Sequence, residues 1–305
     1  MLQHKVFSYF RPFSGPVPAF CEVDFLGTLT RHEFVAGLLP GRCYPIEVQD
    51  YYPDFDEEYF EWIALLEAVV SARGSFTMIE LGAGFGRWTV RAAAAWRQCH
   101  PDLPIRLIAV EPEPVVFGWM RQHFADNDVD ERGHSLIHAA ISDAPGSAMF
   151  YIGGPRGGPF DRHPNSWYGQ ALTKDYDAAG LNRPDGVYAG FRVIEHSSGW
   201  RSIRIPTLSL RCILKDLDGV DLIDLDIEGQ ELISLSQAIE ELDAKVKRLH
   251  IGTHSREIET GLRHLLPAHG WQCQADHSLH SSSQTPWGVI HFENGVQSWV
   301  NPRLS

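Results

Sequence analysis

The sequence predicts an α/β protein built on a mostly parallel sheet. Between residues 76 and 270, short apolar runs alternate with longer segments of helical periodicity, a pattern typical of βαβ units with right-handed crossovers. A glycine-rich turn, Gly82–Gly86, separates the first predicted strand of this region from the next helix. Such turns let a backbone approach a nucleotide or nucleoside cofactor closely. A doubly wound sheet with a cofactor site is therefore expected.

The first regular element is a helix within DFDEEYFEWIALLEAVVSARG, residues 54–74. Acids crowd its first turn, where the helix dipole favours them. Apolar residues recur at Tyr59, Ile63, Leu66 and Val70, which is a helical period, and a glycine follows the last turn as a stop signal.

Strands and helices alternate after this helix. The predicted strands cover residues 76–81, 105–112, 135–142, 148–153, 221–228, 247–254, 271–278 and 287–295. The predicted helices cover residues 87–100, 114–127, 230–246 and 255–270. Pro114 favours a helix start because its fixed φ suits the first turn, and Ser255 is a favoured N-cap residue.

The chain divides into an N-terminal arm, residues 1–55, and one domain, residues 56–305. The arm is rich in aromatic residues, Pro and Gly and has weak periodicity. Within the domain, residues 153–202 interrupt the alternation, and long loops in compact domains are often lids. We expect this insert to cover an acceptor site. Its aromatic and polar residues would suit a polyhydroxylated ligand, although an ordinary solvated loop is an equal alternative for each: Arg156, Asp161, Arg162, His163, Asn165, Trp167, Tyr168, Tyr188 and Trp200.

Composition narrows the classes of partner. The chain has 305 residues and a formal net charge of -13, which disfavours a nucleic-acid partner unless a local basic patch exists. No apolar run approaches the ~20 residues of a membrane span, and the N-terminus lacks a signal-peptide core, so a cytoplasmic protein is expected. Five scattered cysteines without a C-x-x-C pair predict reduced thiols. Assembly into a homo-oligomer is an alternative to a monomer.

The glycine-rich turn IELGAGFGRW has the spacing G-x-G-x-G at Gly82, Gly84 and Gly86. The dinucleotide fingerprint is G-x-G-x-x-G. Glu80 precedes the first glycine by two residues; a carboxylate there would repel a pyrophosphate but attract an amino-acid ammonium group. A tight strand-to-helix turn with no ligand is the alternative.

Two further acids follow the next two predicted strands. Glu111 lies at the end of the predicted strand 105–112, where its carboxylate could accept hydrogen bonds from both ribose hydroxyls of a nucleoside. NAD sites have an acid in the same role. Asp143 follows residues 135–142 and could meet an adenine amino group. Three acids at the ends of three neighbouring strands fit S-adenosylmethionine better than NAD.

The stretch VDLIDLDIEGQE, residues 220–231, predicts a buried strand interrupted by acids. Its five acids are Asp221, Asp224, Asp226, Glu228 and Glu231. Ionised carboxylates are rarely buried unless they are paired or bind a ligand. We expect Asp221 to begin the strand in solvent and Asp224 to have a hydrogen-bonded partner that the sequence does not name.

Five motifs in order resemble the class I S-adenosylmethionine-dependent methyltransferases and, within them, the FkbM family: ELGAGFGRW, VEPEP, AISDAPG, IPTLSLRCIL and VDLIDLDIEGQE. They lie within residues 76–270. The resemblance implies a Rossmann-like, doubly wound, mostly parallel seven-stranded sheet. It also implies O-methylation of a small-molecule, sugar or natural-product hydroxyl. The family has Lys or a similar residue at the position of Asp224, so the local charge here departs from the family pattern.

The resemblance also implies the cofactor-binding residues. For S-adenosylmethionine these are Glu80, Gly82, Ala83, Gly84, Gly86, Glu111, Pro112, Ser142, Asp143 and Asp226. The partner would be a small-molecule or carbohydrate acceptor.

Three residues are candidates for catalysis: Asp226 and Glu228, on one side of the same strand end, and His254, which ends the following strand. In one hypothesis, Asp226 and His254 orient and deprotonate the acceptor hydroxyl. In another, all three hold a divalent cation, Mg²⁺ or Mn²⁺. In the structural alternative, Glu228 and Glu231 flank the next helix start, and His254 is an ordinary hydrogen-bonded histidine.

Other functions remain as alternatives. An NAD-dependent Rossmann oxidoreductase would need the dinucleotide fingerprint, which is absent. A non-catalytic S-adenosylmethionine-binding module would not need Glu80, Glu111, Asp143 and Asp226 together. Transfer to nitrogen usually uses Asn/Asp-Pro-Pro-Tyr/Phe, and DIEG stands in its place here.

Overall fold

The computed structural model describes residues 3–35, 42–49, 51–158, 170–173 and 183–304. The N-terminal arm holds two 3-10 helices, Lys5–Tyr9 and His32–Val35. It also holds four short strands: β1 (Gly15–Val17), β2 (Cys21–Val23), β3 (Leu29–Arg31) and β4 (Ile46–Val48). β1 pairs with β4 and β2 with β3, both antiparallel.

The first half of the main sheet follows the arm. Its elements are α1 (Glu58–Ser71), β5 (Phe76–Leu81), α2 (Arg87–Cys99), β6 (Ile105–Val110), α3 (Pro114–Asp126) and β7 (Ser135–Ile137). The arm packs on α1 through aromatic rings: Phe7 stacks on Tyr59 with 5.2 Å between ring centroids, and Phe25 meets Trp62 edge-on at 6.0 Å. Because Phe7 and Phe25 are buried in the same core as α1 and α2, the arm is integral to the hydrophobic core.

In chain order, a second sheet follows the first half of the main sheet and precedes its second half. Its strands are β8 (Ala140–Ile141), β9 (Gly146–Tyr151), β10 (Arg183–Tyr188), β11 (Phe191–Glu195) and β12 (Arg201–Leu208). Their order is β10-β11-β12-β8, and β9 also pairs with β12. The insert at residues 153–202 was expected to be a long loop, and that expectation was wrong in part, because it contains β10, β11 and the start of β12. Its role as a lid stays a prediction, and Asp161, Arg162, His163, Asn165, Trp167 and Tyr168 lie outside the described residues.

The second half of the main sheet completes the chain. Its elements are α4 (Leu210–Leu214), β13 (Leu222–Leu225), α5 (Glu231–Gln237), α6 (Ile239–Lys245), β14 (Arg248–Thr253), α7 (Arg256–Ala268), β15 (Gln272–His277), β16 (Ser281–Thr285), β17 (Gly288–Phe292) and β18 (Gly295–Val300).

The main sheet has seven strands in the order β15-β18-β14-β13-β5-β6-β7. The β7-β6-β5-β13-β14 ladders are parallel, whereas β18 is antiparallel to both of its neighbours. The predicted Rossmann-like, mostly parallel sheet is therefore confirmed. The chain runs outward from β5 to β7 and then returns to β13, so the topological switch lies between β5 and β13, where such folds place their ligands.

Two predicted elements of the second half differ in part from the structure. The strand predicted at residues 287–295 is present as β17, which pairs with β16 in a separate hairpin, whereas β18 of the main sheet was not predicted. Most of β18 is buried, including Gln297 and Ser298, so its sequence lacks the alternation that marks a half-exposed strand. The predicted helix 230–246 is interrupted at Ala238 into α5 and α6.

Hydrophobic clusters cover both faces of the main sheet. One joins the arm with α1, α2 and α3, and the other joins α4 to α7. Among the described residues, no helix combines the length and apolar character that crossing a bilayer requires. The division of the chain at residue 55 stays a prediction.

Candidate functional site

A cleft of about 950 Å³ opens along the carboxyl ends of β5, β6, β13 and β14. Its size lies in the range of small-molecule sites. The glycine turn, Glu111, Asp226 and His254 line one part of it, and the N-terminal arm and the β9 region line another. The topology therefore brings most of the predicted site residues to one place.

The glycine turn passes directly against the end of β13. Gly82, Gly84 and Gly86 have φ values of 76°, 54° and 73°, in the left-handed region that glycine adopts without steric cost. A Cβ on Gly82 would lie 1.8 Å from the carbonyl oxygen of Asp226. Packing alone therefore requires glycine at this position, while the same turn forms one wall of the cleft, together with Ala83.

Glu80 holds the start of α2 behind the glycine turn. It is 3% exposed, and its two oxygens accept hydrogen bonds from the N–H groups of Trp88 at 3.1 Å and Thr89 at 2.8 Å. Burial raises the pKa of this carboxyl to about 7, although the hydrogen bonds from Thr89 and Trp88 oppose the rise. The predicted contact between Glu80 and a cofactor ammonium group stays a prediction.

Glu111 ties the end of β6 to the glycine turn. Oε2 accepts a hydrogen bond from the N–H of Gly84 at 2.8 Å, and Oε1 accepts one from the N–H of Glu113 at 2.7 Å. Burial raises the pKa of Glu111 to about 8 against these hydrogen bonds. Glu111 and Pro112 both line the cleft, so a nucleoside there would meet this strand end.

Ser142 and Asp143 lie outside the described lining of the cleft, whereas Ala140 and Ile141 of β8 belong to it. The hydroxyl of Ser142 donates a hydrogen bond to Oδ1 of Asp143 at 3.0 Å, and Asp143 is exposed. Their contact with an adenine ring stays a prediction.

His254 lies among three carboxylates just after β14. Its Nδ1 is 2.7 Å from Oε1 of Glu231, and its Nε2 is 3.0 Å from Oδ1 of Asp226 and 3.5 Å from Oε1 of Glu228. Both contacts of Nε2 are ion pairs when the ring is protonated. Burial lowers the pKa of His254, but Asp226 and Glu231 outweigh it and raise the pKa to about 11.

The three predicted catalytic residues are thus brought together, and Glu231 joins them. Glu231 is fully buried at the start of α5, where it also accepts a hydrogen bond from the N–H of Gly229 at 3.1 Å. Glu228 has a φ of +49°, and burial raises its pKa to about 7. Sequence reasoning placed Glu231 only at a helix start; the histidine it contacts lies 23 residues later, and no local motif links the two.

A second cluster lies deeper in the cleft. Asp224 of β13 is hydrogen-bonded to Glu61 of α1, and His250 of β14 is its direct partner in the parallel register. One ligand-type atom from each of these residues lies within 4.8 Å of the others. Glu61 is therefore the partner that Asp224 was expected to have. No local pattern of the sequence points to Glu61. The expectation that Asp221 begins the strand in solvent was wrong, because Asp221 is buried, accepts a hydrogen bond from the N–H of Thr77 at 2.8 Å and pairs with Lys247 at 2.8 Å.

The arm contributes a wall that sequence reasoning did not assign. Asp24 accepts a hydrogen bond from Nε of Arg91 on α2 at 2.9 Å, and the guanidinium lies 4.3 Å from the Trp62 ring and 4.2 Å from the Trp88 ring. Tyr51 also lines the cleft. Asp24 and Tyr51 stand in no recognisable motif, so only the packing of the arm identifies them.

The predicted acceptor residues of the insert that the structure describes lie apart from the cleft lining. Tyr188 is hydrogen-bonded to Glu113, Trp200 packs on Tyr151 with 5.0 Å between ring centroids, and Arg156 pairs with Asp185 at 2.6 Å. The insert instead contributes residues 170–172 to the cleft, and β9 contributes Phe150.

No protein-family model matches the chain. A protein of Jannaschia sp. (strain CCS1) named "Putative methyltransferase" is 29% identical over 221 residues, which cover 71% of this chain and 69% of that protein.

Two solved structures share the general arrangement at low similarity. Precorrin-6Y C5,15-methyltransferase from Geobacter metallireducens GS-15 is 12% identical with a TM-score of 0.39, over 78% of this chain and 85% of that one. Methyltransferase FkbM from Methylobacillus flagellatus KT is 13% identical with a TM-score of 0.39, over 81% of this chain and 55% of that one. Neither likeness bears on the activity of this chain.

Proposed function

We propose that this protein is an S-adenosylmethionine-dependent methyltransferase that acts on a hydroxyl group. One observation carries the proposal: the glycine turn and the carboxylate cluster around His254 line one cleft, and Gly82 packs against the backbone of Asp226. The glycine turn, which would bind the methyl donor, is therefore adjacent to the carboxylates that could accept the proton of the hydroxyl group. The name of the Jannaschia relative supports the same activity.

The residues of the cleft fit the proposed cofactor. The turn from Gly82 to Gly86 would lie along its amino-acid part, and Glu111 would face the ribose hydroxyls. When bound, S-adenosylmethionine supplies a methyl group on a sulfonium. The carbon–sulfur bond breaks as the carbon–oxygen bond forms, and the hydroxyl proton leaves to a base. The chain contributes alignment of the two partners, which is the main entropic gain, and the base.

Asp226 is the proposed base. Its side chain is 56% exposed at the carboxyl end of β13, where it can reach a ligand in the cleft. Both ring nitrogens of His254 already face carboxylates, so the ring acts as a positioning group that orients Asp226. Glu228 offers a second carboxylate to the same acceptor and lines the cleft beside it.

A divalent cation held by Asp226, Glu228 and His254 is the second candidate mechanism. One possible ligand atom from each of these residues lies within 4.8 Å of the others, which supports it. Mg²⁺ or Mn²⁺ would then bind the acceptor oxygens directly. Full activity after exhaustive chelation would exclude this version and leave the base mechanism.

The acceptor is a small molecule, such as a sugar or natural-product hydroxyl. Thirteen carboxyl side chains and two arginines belong to the described lining of the cleft, and both arginines are paired with acids, Arg87 with Glu58 and Arg91 with Asp24. An anionic acceptor, including nucleic acid, would be repelled.

Calorimetry and turnover together test the proposal. S-adenosylhomocysteine should bind and NAD should not; the reverse result would favour an oxidoreductase. With a hydroxyl acceptor found by screening, Asp226→Asn should keep cofactor binding and lose at least a hundredfold in kcat. Cofactor binding with no methyl transfer across a broad acceptor screen would favour a non-catalytic module, and full turnover by Asp226→Asn would exclude Asp226 as the base.

A further inference from the structure

We infer that Glu61, Asp224 and His250 form a binding site for a divalent transition-metal ion at the floor of the cleft. The site lies below the Asp226–His254 cluster and is distinct from it. Its ability to bind metal does not depend on methyl transfer, so it can be tested whether or not the proposed activity is correct.

The geometry of the cluster is that of a preformed ligand set. Asp224 and His250 come from neighbouring positions of two central strands, and Glu61 comes from the helix packed above them. Asp224 and His250 are each 4% exposed. The three candidate ligand atoms lie within 4.8 Å of one another, so small side-chain movements would bring them around one ion.

The donor set is chemically suited to such an ion. Two carboxylates and one imidazole favour Mn²⁺, Fe²⁺ or Zn²⁺ over an all-oxygen Mg²⁺ site. Nδ1 of His250 is 2.9 Å from the hydroxyl oxygen of Ser298. That contact leaves Nε2 as the nitrogen for a metal, and a hydrogen bond on the other ring nitrogen is the usual way in which proteins orient a ligating histidine. All three residues line the cleft, so water or an acceptor oxygen can complete the coordination.

The negative charge of the carboxyl groups at the floor of the cleft also favours binding of a cation. Asp224 is buried and hydrogen-bonded to the half-buried Glu61, and Glu80 of β5 is paired with Asp224 in the parallel register. The guanidinium of Arg91 pairs with Asp24. Buried carboxyl groups must share a proton, pair with a base or bind a metal. A divalent ion would displace the shared proton and neutralise both carboxylates.

The cluster around His254 also consists of two carboxylates and a histidine in the candidate ligand set, but the contacts of its imidazole ring differ from those of His250. Its imidazole is enclosed by Glu231 on one nitrogen and by Asp226 on the other, so a metal would have to displace an existing ion pair. His250 has a hydroxyl on Nδ1 and no carboxylate within ion-pairing distance among the described residues. The deeper cluster is therefore the better metal site.

Mn²⁺ binding to the full-length protein, freed of metal by chelator dialysis, tests the inference. Electron paramagnetic resonance should show one bound Mn²⁺ per chain, and calorimetry in buffers of different ionisation enthalpy should show proton release. Asp224→Asn and Glu61→Gln should each weaken Mn²⁺ binding at least tenfold. Glu228→Gln alters the other candidate cluster and so distinguishes the two sites, whereas the control Asp130→Asn, at an exposed position outside the cleft lining, should leave Mn²⁺ binding unchanged.

Three results would overturn the inference: no Mn²⁺ binding by the wild-type protein, unchanged binding in Glu61→Gln, or loss with Glu228→Gln instead. If Asp224→Asn does not fold, Ser298→Ala supplies the second measurement, because it removes the hydroxyl that orients His250 without removing a ligand. It should weaken Mn²⁺ binding while S-adenosylhomocysteine binding is retained. Cofactor binding without Mn²⁺ binding would leave the proposed function intact and reject the metal site alone.

Discussion

Gly82 is the residue at which the glycine turn and the carboxyl end of β13 meet. Its N–H donates to the carbonyl of Val110 at 3.0 Å, and its α-carbon faces the carbonyl of Asp226, where no side chain fits. A left-handed φ adds a second requirement for glycine. One residue thus fixes the distance between the two halves of the proposed site.

Gly82→Ala should destabilise the fold. The added Cβ must displace the backbone of Asp226, and alanine must adopt a positive φ, so the expected loss in the free energy of unfolding is roughly 3 kcal/mol or more. Urea denaturation measures it. The matched control is Gly118→Ala within α3, where a Cβ meets no atom within 4 Å; it should stabilise by about 1 kcal/mol. Equal effects of the two changes would contradict the packing argument.

Glu231→Gln tests the carboxylate that holds His254. The amide oxygen can still accept the N–H of Gly229, but it carries no charge to stabilise a protonated ring. We expect a loss of roughly 1–3 kcal/mol in the free energy of unfolding. The pKa of His254 should fall from about 11, which NMR titration of that ring would follow. A pKa that does not move would show that Glu231 is not its partner.

At the scale of elements, α3 joins the arm to the glycine turn through a buried histidine. Nδ1 of His123 is 3.1 Å from the carbonyl oxygen of Phe85, and Nε2 is 3.3 Å from the hydroxyl of Thr30 on β3. Burial lowers the pKa of His123 to about 4, although the Phe85 carbonyl and the nearby charges of Asp24 and Asp126 oppose the change. The ring is therefore neutral in the folded protein near neutral pH.

This junction should make stability depend on pH. In the unfolded chain His123 titrates near 6.5, so between about pH 6.5 and 4 the unfolded state binds more protons and stability falls as the pH is lowered. The contribution of the neutral His123 ring to the free energy of unfolding is fully present above pH 6.5, and up to roughly 3 kcal/mol of that free energy is lost by pH 4. Urea denaturation of wild type and His123→Gln across this range measures it. The difference in the free energy of unfolding between wild type and His123→Gln should grow as the pH rises. A difference that stays constant across this pH range would argue against the buried neutral ring.

The elements that the sequence predicted are those with local signals. The α1 region shows a helical period, β5 is followed by the glycine turn, and β13 and β14 are apolar runs next to helices. β18 carried no such signal because it is buried on both faces. The predicted catalytic residues meet because strand ends meet, whereas Glu61 reaches Asp224 only through the packing of α1 on the sheet, which no local pattern encodes.

At the scale of the whole molecule, 13 of the 39 acidic residues belong to the described lining of the proposed site. The acids that line the cleft come from the arm, from α1 and from the strand ends, so the chain folds distant acidic segments around one space. A cleft with walls of one charge focuses its field on whatever enters. A cationic ligand gains from that field, and a neutral ligand of the same shape gains less.

S-adenosylmethionine and S-adenosylhomocysteine form such a pair, because they differ by one methyl group and the positive charge of the sulfonium. Raising NaCl from 20 to 200 mM shortens the Debye length from roughly 20 Å to about 7 Å. Calorimetry should therefore show a several-fold larger Kd for S-adenosylmethionine at the higher salt, with a smaller change for S-adenosylhomocysteine. The control is Asp130→Asn at an exposed position outside the cleft lining, which removes one charge but should leave both salt dependences nearly unchanged. Equal salt dependence of the two ligands in the wild-type protein would mean that the acids of the cleft are neutralised, by shared protons or by a bound cation, before the cofactor arrives.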